Sequence, residues 1–169
     1  VQKDRGQPDR VSFVALHAAC HGRPFAALSC THGEKYRKPF EPLLPVTFVP
    51  QDDVEALTQT IHDTKPAALI VEPIQGEGGI RELSPTFLRA ARKLCDETGT
   101  ILIHDEIQSG CGRTGRFLAA DWHGVKPDVV TLAKPIAGGL PMGVMTVRKE
   151  LAEVFKPGEG RAVVAGLED

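Results

Sequence analysis

Short apolar runs recur along the chain, and the segments between them carry apolar residues at helical spacing. The runs are rich in β-branched side chains, which is typical of strands. "AALIVEP" is apolar without alternation, as expected for a strand covered on both faces. The predicted strands are residues 11–16, 46–50, 67–73, 101–105 and 128–134, with a further candidate at 144–150.

Two clear helices are predicted between these strands. The first covers residues 53–63, after a pair of aspartates that can cap its amino end. The second begins after Ser84, with Pro85 in its first turn, and ends near Gly99. Residues 117–124 are a candidate short helix. The apolar stripe of the second helix consists of Phe87, Leu88, Ala91, Leu94 and Cys95.

The alternation of strands and helices predicts an α/β fold with a mainly parallel sheet and helices on both faces. The chain of 169 residues is long enough for one domain with a real core. It contains neither an internal repeat nor a convincing linker. The polar opening "VQKDRGQPDR" has no signal-peptide pattern and is predicted to be an exposed lead-in to the first strand.

Composition excludes several classes of function. The formal net charge of −2 gives no basic field for nucleic acid or an anionic membrane. No apolar run is long enough to span a bilayer. The four cysteines form no CxxC pair and no disulfide framework, so we expect a reducing compartment and mostly buried free thiols.

Chemically useful residues stand where three predicted strands end. Glu72, Asp105 and Lys134 each follow a buried run, and ligands of parallel α/β sheets bind outside the carboxyl ends of the strands. Asp105 precedes Lys134 by 29 residues, about one strand–helix–strand unit. Gln108 follows closely, so a carboxylate, an amide and a lysine are expected at one rim.

Two interpretations of this pair remain open from the residues alone. Lys134 and Asp105 could form a buried salt bridge. Alternatively, a partly desolvated lysine has a lowered pKa and attacks carbonyl carbons, while a buried aspartate pairs with a protonated ring nitrogen. Pyridoxal phosphate needs both partners. The pair therefore suggests this cofactor.

A metal site is a third possibility. Cys20, His21, Cys30 and His32 lie within thirteen residues. Their spacing matches neither C-x2-4-C nor H-x3-5-H, so structural zinc is disfavoured. His104 precedes Asp105 on the same strand and is expected to face the opposite side, in a packing role. His62 and His123 are predicted to be surface residues.

Several longer motifs carry a resemblance to a known family. "ILIHDEIQSGCGRTGRFLAADWHGVKPDVVTLAKPIAGGLPMG" resembles the signature of class III, fold-type I, pyridoxal-phosphate-dependent aminotransferases. "CHGRPFAALSCTHGEKYRKPFEPLLP" and "VEPIQGEGGIRELSPTFL" are similar to the acetylornithine aminotransferase branch. The resemblance covers nearly all of residues 11–158. It implies that the chain is part of the large, cofactor-binding domain of such a transferase.

The resemblance implies cofactor contacts for five residues of the signature. Lys134 matches the lysine that forms the Schiff base, and Asp105 matches the acid on the pyridinium nitrogen. Gln108 matches the residue near the phenolic oxygen, and Ile107 the aliphatic residue on one ring face. Glu106 belongs to the same cofactor-binding motif, although its side chain should point elsewhere and serve a structural salt bridge.

The "CHGR" and "QGEGG" motifs imply the remaining site residues. Cys20 and His21 are expected at the cofactor, although Cys20 stands where the family has an aromatic that stacks on the ring. Arg23 and Glu77 match residues that contact substrate, and Pro24 replaces a hydroxyl residue. The glycines 110, 112 and 115 are interpreted as permitting close approach of backbone to the cofactor and a partner subunit.

Relative to the family, the chain is predicted to hold only part of the protein. Residues 1–160 are expected to form a partial cofactor domain and 161–169 an unmatched tail. The phosphate-binding segment before residue 1 and the C-terminal small domain are expected to be absent. The chain alone could therefore be an inactive fragment or a non-catalytic remnant.

The resemblance also implies a reaction, a cellular location and partners. The implied reaction is ping-pong transamination from N-acetylornithine to 2-oxoglutarate in arginine biosynthesis, with ornithine or another ω-amino donor as the alternative. Lys134 is expected to act as general base and Asp105 to keep the ring nitrogen protonated. The expected partners are an amino donor, a 2-oxo acid and a second subunit in a homodimer. The expected location is the cytoplasm or the mitochondrial matrix.

Overall fold

The computed structural model describes residues 1–153, and residues 154–169 lie outside the described part. The predicted tail at 161–169 falls in that undescribed segment. The strands are β1 (Phe13–Leu16), β2 (Val46–Val49), β3 (Ala68–Val71), β4 (Ile74–Gln75), β5 (Arg81–Glu82), β6 (Ile101–Asp105), β7 (Val129–Leu132) and β8 (Val144–Val147). The α-helices are α1 (Phe25–Ser29), α2 (Glu34–Arg37), α3 (Val54–Thr64), α4 (Pro85–Thr98) and α5 (Lys149–Ala152).

Six of the strands form one sheet in the order β2-β1-β3-β6-β7-β8. All neighbours are parallel except β8, which runs antiparallel to β7. The chain passes from β1 to β2 on one side, then returns to β3 on the other side of β1. Such a reversal opens a crevice at the carboxyl ends of the strands, where ligands of these folds bind. The predicted mainly parallel α/β fold is confirmed.

The two long helices begin and end where their sequences predict. The side chain of Asp53 accepts a hydrogen bond from Ala56 N and caps α3, and Ser84 caps α4 through Phe87 N. Lys65 and Gly99 end these helices in the left-handed conformation. Only one of them is a glycine, so the end of α3 carries some backbone strain at Lys65.

The main core lies between the sheet and the two long helices. The five predicted stripe residues of α4 are all buried and pack against β1, β3 and β6. Burying a Leu or Phe side chain stabilises a fold by about 1.5 to 3 kcal/mol. This core therefore fixes the strands whose ends carry the site.

Four features differ from the sequence prediction. A two-stranded hairpin, β4 with β5, follows β3 and was not predicted because each strand is only two residues long. The segment predicted as a strand at 144–150 divides into β8 and the start of α5. Residues 119–122 form a 3₁₀ turn. The first ten residues form turns, and residues 3–9 are exposed as predicted, whereas Gln2 is buried and its side-chain amide donates to Ala67 O and Gly99 O.

None of the helices in the described part has both the length and the apolar character needed to cross a bilayer.

Candidate functional site

A cavity of about 620 Å³ lies at the carboxyl ends of β1, β3, β6 and β7. Its volume falls in the range of small-molecule and cofactor sites. The walls come from the segments that follow these strands, so residues distant in sequence meet here. The predicted site residues that line it are Cys20, His21, Arg23, Glu77, Asp105, Ile107, Gln108 and Lys134.

Asp105 is the last residue of β6 and is almost fully buried, with 5% of its surface exposed. Its Oδ1 accepts hydrogen bonds from Ile107 N at 3.2 Å and Thr131 Oγ1 at 3.1 Å. Its Oδ2 accepts from His21 Nδ1 at 2.7 Å. An ionised carboxylate has about four acceptor positions. Three are used here, so Oδ2 retains capacity for one further donor.

His21 fixes the direction of the Asp105 carboxylate. Because an ionised carboxylate only accepts, the hydrogen of this bond is carried by His21 Nδ1. The backbone N–H of His21 donates to Thr31 Oγ1 at 3.0 Å, which anchors the residue from the other side. Nε2 is buried and has no hydrogen-bond partner in the described part of the chain. The structure therefore brings His21 to the site through Asp105.

Glu72 is a second buried carboxylate at this edge of the sheet. Val71 pairs with His104, so the following residues, Glu72 and Asp105, leave neighbouring strands at the same level. Glu72 Oε1 accepts from Cys20 N at 2.9 Å. Burial raises the pKa of Glu72, the proximity of Asp105 raises it further, and the Cys20 N–H and His21 oppose the shift.

Lys134 follows β7 and begins a 3₁₀ turn with a positive φ of 49°. This conformation is uncommon for a residue with a side chain and marks positions held by their surroundings. Lys134 lines the cavity but is exposed, so the structure does not show the partial desolvation that was expected of this lysine. No ion pair joins it to Asp105 within residues 1–153, where the aspartate is paired with His21 instead.

Gln108 and Ile107 lie on the loop that follows β6, and both are partly buried at the cavity. Gly76 on the facing loop makes room for the Gln108 amide, because a Cβ at this position would overlap Gln108 Oε1. The glycine of the "QGEGG" motif thus has a packing reason. It lets an amide reach the site from the neighbouring strand end.

Glu106 does not line the cavity. Its buried carboxylate accepts hydrogen bonds from Ser109 Oγ at 2.6 Å and from the backbone N–H groups of Ala119 and Ala120, both at 2.9 Å. The expected salt bridge is wrong, since all three donors are neutral. Glu106 therefore holds the 119–122 turn. Its side chain lies outside the cavity that the other residues of its motif line.

Arg23 and Glu77 lie at the mouth of the cavity, and both are exposed. The Arg23 guanidinium carbon stands 3.6 Å from the centre of the Tyr36 ring, close enough for a cation–π contact. Lys35 Nζ lies 4.7 Å from the same ring. Two cationic side chains therefore gather around Tyr36 at the cavity, which Glu77 also lines.

The cysteines and the other histidines take ordinary positions. All four cysteines are free, but only Cys30 and Cys95 are buried, and burial raises the pKa of each of these thiols to about 12. The expectation of mostly buried thiols is therefore only half right. No group of three metal-binding side chains occurs in the described part of the chain. His104 is fully buried behind Asp105, as predicted, and His62 is exposed; His123 is half-buried on Glu82.

Three residues of the site were not assigned from the sequence. Thr131 and Thr31 hold Asp105 and His21, and their position follows only from strand register and loop packing. Glu72 was noticed at a strand end but was not given a role. The signal that could have found it is a carboxylate directly after a fully apolar strand, where an unpaired charge is costly.

The fold and the cavity define an α/β protein with a ligand site at the strand ends that combines a buried aspartate with a lysine. The family "Aminotransferase class-III" matches residues 1–166. The chain belongs to this family, which confirms the resemblance drawn from the motifs.

Curated relatives include acetylornithine aminotransferases. The mitochondrial enzyme of Alnus glutinosa is 46% identical over 96% of this chain and 36% of its own length. The enzyme of Methanopyrus kandleri is 48% identical over 91% of this chain and 40% of its own length. The chain thus spans well under half the length of these relatives.

Solved structures of transaminases share the fold. The ornithine aminotransferase of Toxoplasma gondii ME49 superposes with a TM-score of 0.83 at 38% identity, over 90% of this chain and 37% of its own. A second structure of that enzyme, described as having partial occupancy of PLP at the active site, gives a TM-score of 0.85 at 36% identity over 94% and 38%.

Proposed function

We propose that this chain is the central part of a pyridoxal-phosphate-dependent aminotransferase that uses N-acetylornithine as amino donor and 2-oxoglutarate as acceptor. The observation that carries the cofactor is the Asp105 carboxylate. It is buried, it is oriented by three donors, and it keeps one acceptor position beside a cavity that also contains Lys134. The donor is supported by the acetylornithine aminotransferases among the relatives.

The residues present fit the cofactor. The free position on Asp105 Oδ2 suits a protonated ring nitrogen, because a buried carboxylate is stabilised by a cationic donor. Ile107 offers an apolar surface for a ring, and Gln108 offers an amide for a ring oxygen. Lys134 lines the same cavity and has a positive φ of 49°.

When bound, pyridoxal phosphate supplies an aldehyde that reacts with amines and a protonated ring that withdraws electrons. Lys134 Nζ is the amine of this chain that would hold the aldehyde carbon and later carry a proton as general base. Asp105 Oδ2 would accept the hydrogen of the protonated ring nitrogen and so keep that proton in place. Arg23 would attract a carboxylate of the substrate, and Glu77 would lie near the substrate's distal end, as the family resemblance implies.

The full protein is proposed to act as a homodimer, in the cytoplasm or the mitochondrial matrix. Ornithine is the second candidate donor, because ornithine aminotransferase shares 38% identity and the same fold with this chain. A panel of donors offered to the full protein separates the two. Faster turnover of N-acetylornithine than of ornithine supports the first, and the reverse order supports the second.

The experiment that tests the cofactor is chemical trapping. The protein is incubated with pyridoxal phosphate, reduced with borohydride, digested and mapped by mass spectrometry. We expect the label on Lys134, and a label elsewhere or none would refute the proposal. Lys134→Ala should lower turnover of the full protein by at least about 10²-fold. Lys126→Ala, which removes another exposed lysine, is the matched control.

A further inference from the structure

Glu72 connects two loops whose residues line the cavity. Its Oε1 accepts from Cys20 N at 2.9 Å on the loop after β1, and its Oε2 accepts from Gly76 N at 3.4 Å at the start of the turn between β4 and β5. The side chain is buried, with 3% of the residue exposed. A carboxylate has two acceptor oxygens on one rigid group, so a single side chain can satisfy donors on two loops.

The same two loops meet at a second and a third point. Gln75 Nε2 donates to His17 O at 3.0 Å. A Cβ on Gly78 would stand 3.0 Å from Ala18 O, so the backbones approach each other closely. Glu72 is nevertheless the contact nearest to Asp105, since it holds the N–H of Cys20, the residue directly before His21.

We propose that Glu72 is a positioning residue whose carboxylate holds Cys20 N and Gly76 N and thereby fixes the His21 imidazole on Asp105. His21 is held from both sides, because Glu72 anchors the residue before it and Thr31 Oγ1 anchors its own N–H. The 2.7 Å hydrogen bond between His21 Nδ1 and Asp105 Oδ2 depends on this placement. The function of Glu72 is then to span two donors.

This role requires a side chain of the length of Glu72, and it does not require a negative charge. Burial disfavours the charged form of Glu72 and so raises its pKa. Glutamine keeps the length and an acceptor oxygen for Cys20 N, the shorter of the two contacts. It loses the 3.4 Å contact to Gly76 N, because its NH2 group is a donor and cannot accept. Aspartate keeps the charge but is one methylene shorter and cannot reach both loops.

The experiment compares Glu72→Gln with Glu72→Asp in the full protein. The first measurement is the ¹H and ¹⁵N NMR signals of the His21 imidazole in the cofactor-free protein. We expect the hydrogen-bonded Nδ1–H of His21 to persist in Glu72→Gln and to weaken or vanish in Glu72→Asp. Thermal melting of both variants separates a local change from general unfolding.

The second measurement is the affinity for pyridoxal phosphate, followed by cofactor absorbance, and its interpretation rests on the proposed function. Loss of one charge-assisted hydrogen bond corresponds to about tenfold weaker binding, which we expect for Glu72→Asp and not for Glu72→Gln. An aspartate variant that behaves as wild type, or a glutamine variant that loses the His21 signal, overturns the proposal. Wild-type protein that binds no cofactor refutes the proposed function and leaves the NMR comparison as the test of Glu72.

Discussion

The two ends of the parallel sheet both place polar groups beside a cavity, but these groups have different partners. At the amino ends, Arg10 donates to the carbonyl oxygens of Lys65, Pro66 and Thr98. At the carboxyl ends, Asp105 accepts from His21 and Thr131 and keeps one position free. The cavities are similar in volume, about 500 Å³ and 620 Å³.

The two cavities differ in whether their hydrogen-bonding groups are already engaged by the protein. This property distinguishes residues that stabilise the fold from residues that can bind a ligand. Arg10 satisfies the last carbonyls of α3 and α4, where a cation also complements the helix dipoles. Its guanidinium is fully engaged by protein acceptors, so a ligand has little to gain there. The carboxyl ends instead place acceptors with spare capacity beside an exposed lysine. Volume alone does not separate the two cavities, whereas the state of their hydrogen bonds does.

His104 is a polar residue near the carboxyl end of β6 that does not line the cavity. It neighbours Asp105 but is fully buried on the other face of β6, and neither ring nitrogen has a partner in the described structure. Burial lowers the pKa of His104 to about 3. The unfolded state therefore takes up a proton below pH 6.5 that the folded state refuses, and stability is lost as the pH falls toward 3.

We expect His104→Leu to remove this loss. Between pH 7 and pH 4.5 the wild type should lose about 2.5 kcal/mol more unfolding free energy than the variant. Glu72 acts in the opposite direction, since its raised pKa favours the folded state as the pH falls, but equally in both proteins. Denaturant titrations at the two pH values measure the difference. His62→Leu, at an exposed histidine, should show the same change of unfolding free energy with pH as the wild type. If His104→Leu also changed with pH as the wild type does, His104 would not be the source of the loss.

Arg10 tests the stabilising role of the amino ends. Arg10→Met keeps much of the aliphatic stem but removes the donors to the two helix ends and to Thr100 Oγ1. We expect unfolding free energy to fall by about 2 kcal/mol, because several carbonyls lose a charged donor. Cofactor affinity of the folded protein should not change. Arg5→Ala, an exposed arginine of the same segment, is the control, and a change in cofactor affinity with unchanged stability would reverse the comparison.

Tyr36 tests the mouth of the carboxyl-end cavity and has the smallest expected effect. Its ring orients the Arg23 guanidinium by a cation–π contact. If Arg23 binds a substrate carboxylate as proposed, Tyr36→Ala should raise the KM of the donor about two- to fivefold. Tyr36→Phe keeps the ring and should match the wild type. Equal KM values for the alanine and phenylalanine variants would show that the contact between the Tyr36 ring and Arg23 does not affect substrate binding.

Local sequence patterns were sufficient for the main elements of the fold. The capping residues Asp53 and Ser84 and the terminal Gly99 act within one turn of the backbone, so their effect can be inferred without knowing the fold. The short hairpin of β4 and β5 was missed because two-residue strands have no periodicity. The exposure of Lys134 was missed because it depends on the turn that follows β7.

The sequence by itself determined the α/β class, the family, and the set of residues that gather at the strand ends, because apolar runs and motif spacing are local properties of the chain. Only the tertiary structure decided the partners of the buried carboxylates. Asp105 is paired with His21, Glu72 with Cys20 N, and Glu106 with the backbone at Ala119. Each pair joins residues more than ten positions apart, so it follows from strand order and loop packing, which the core of α4 and the sheet fixes.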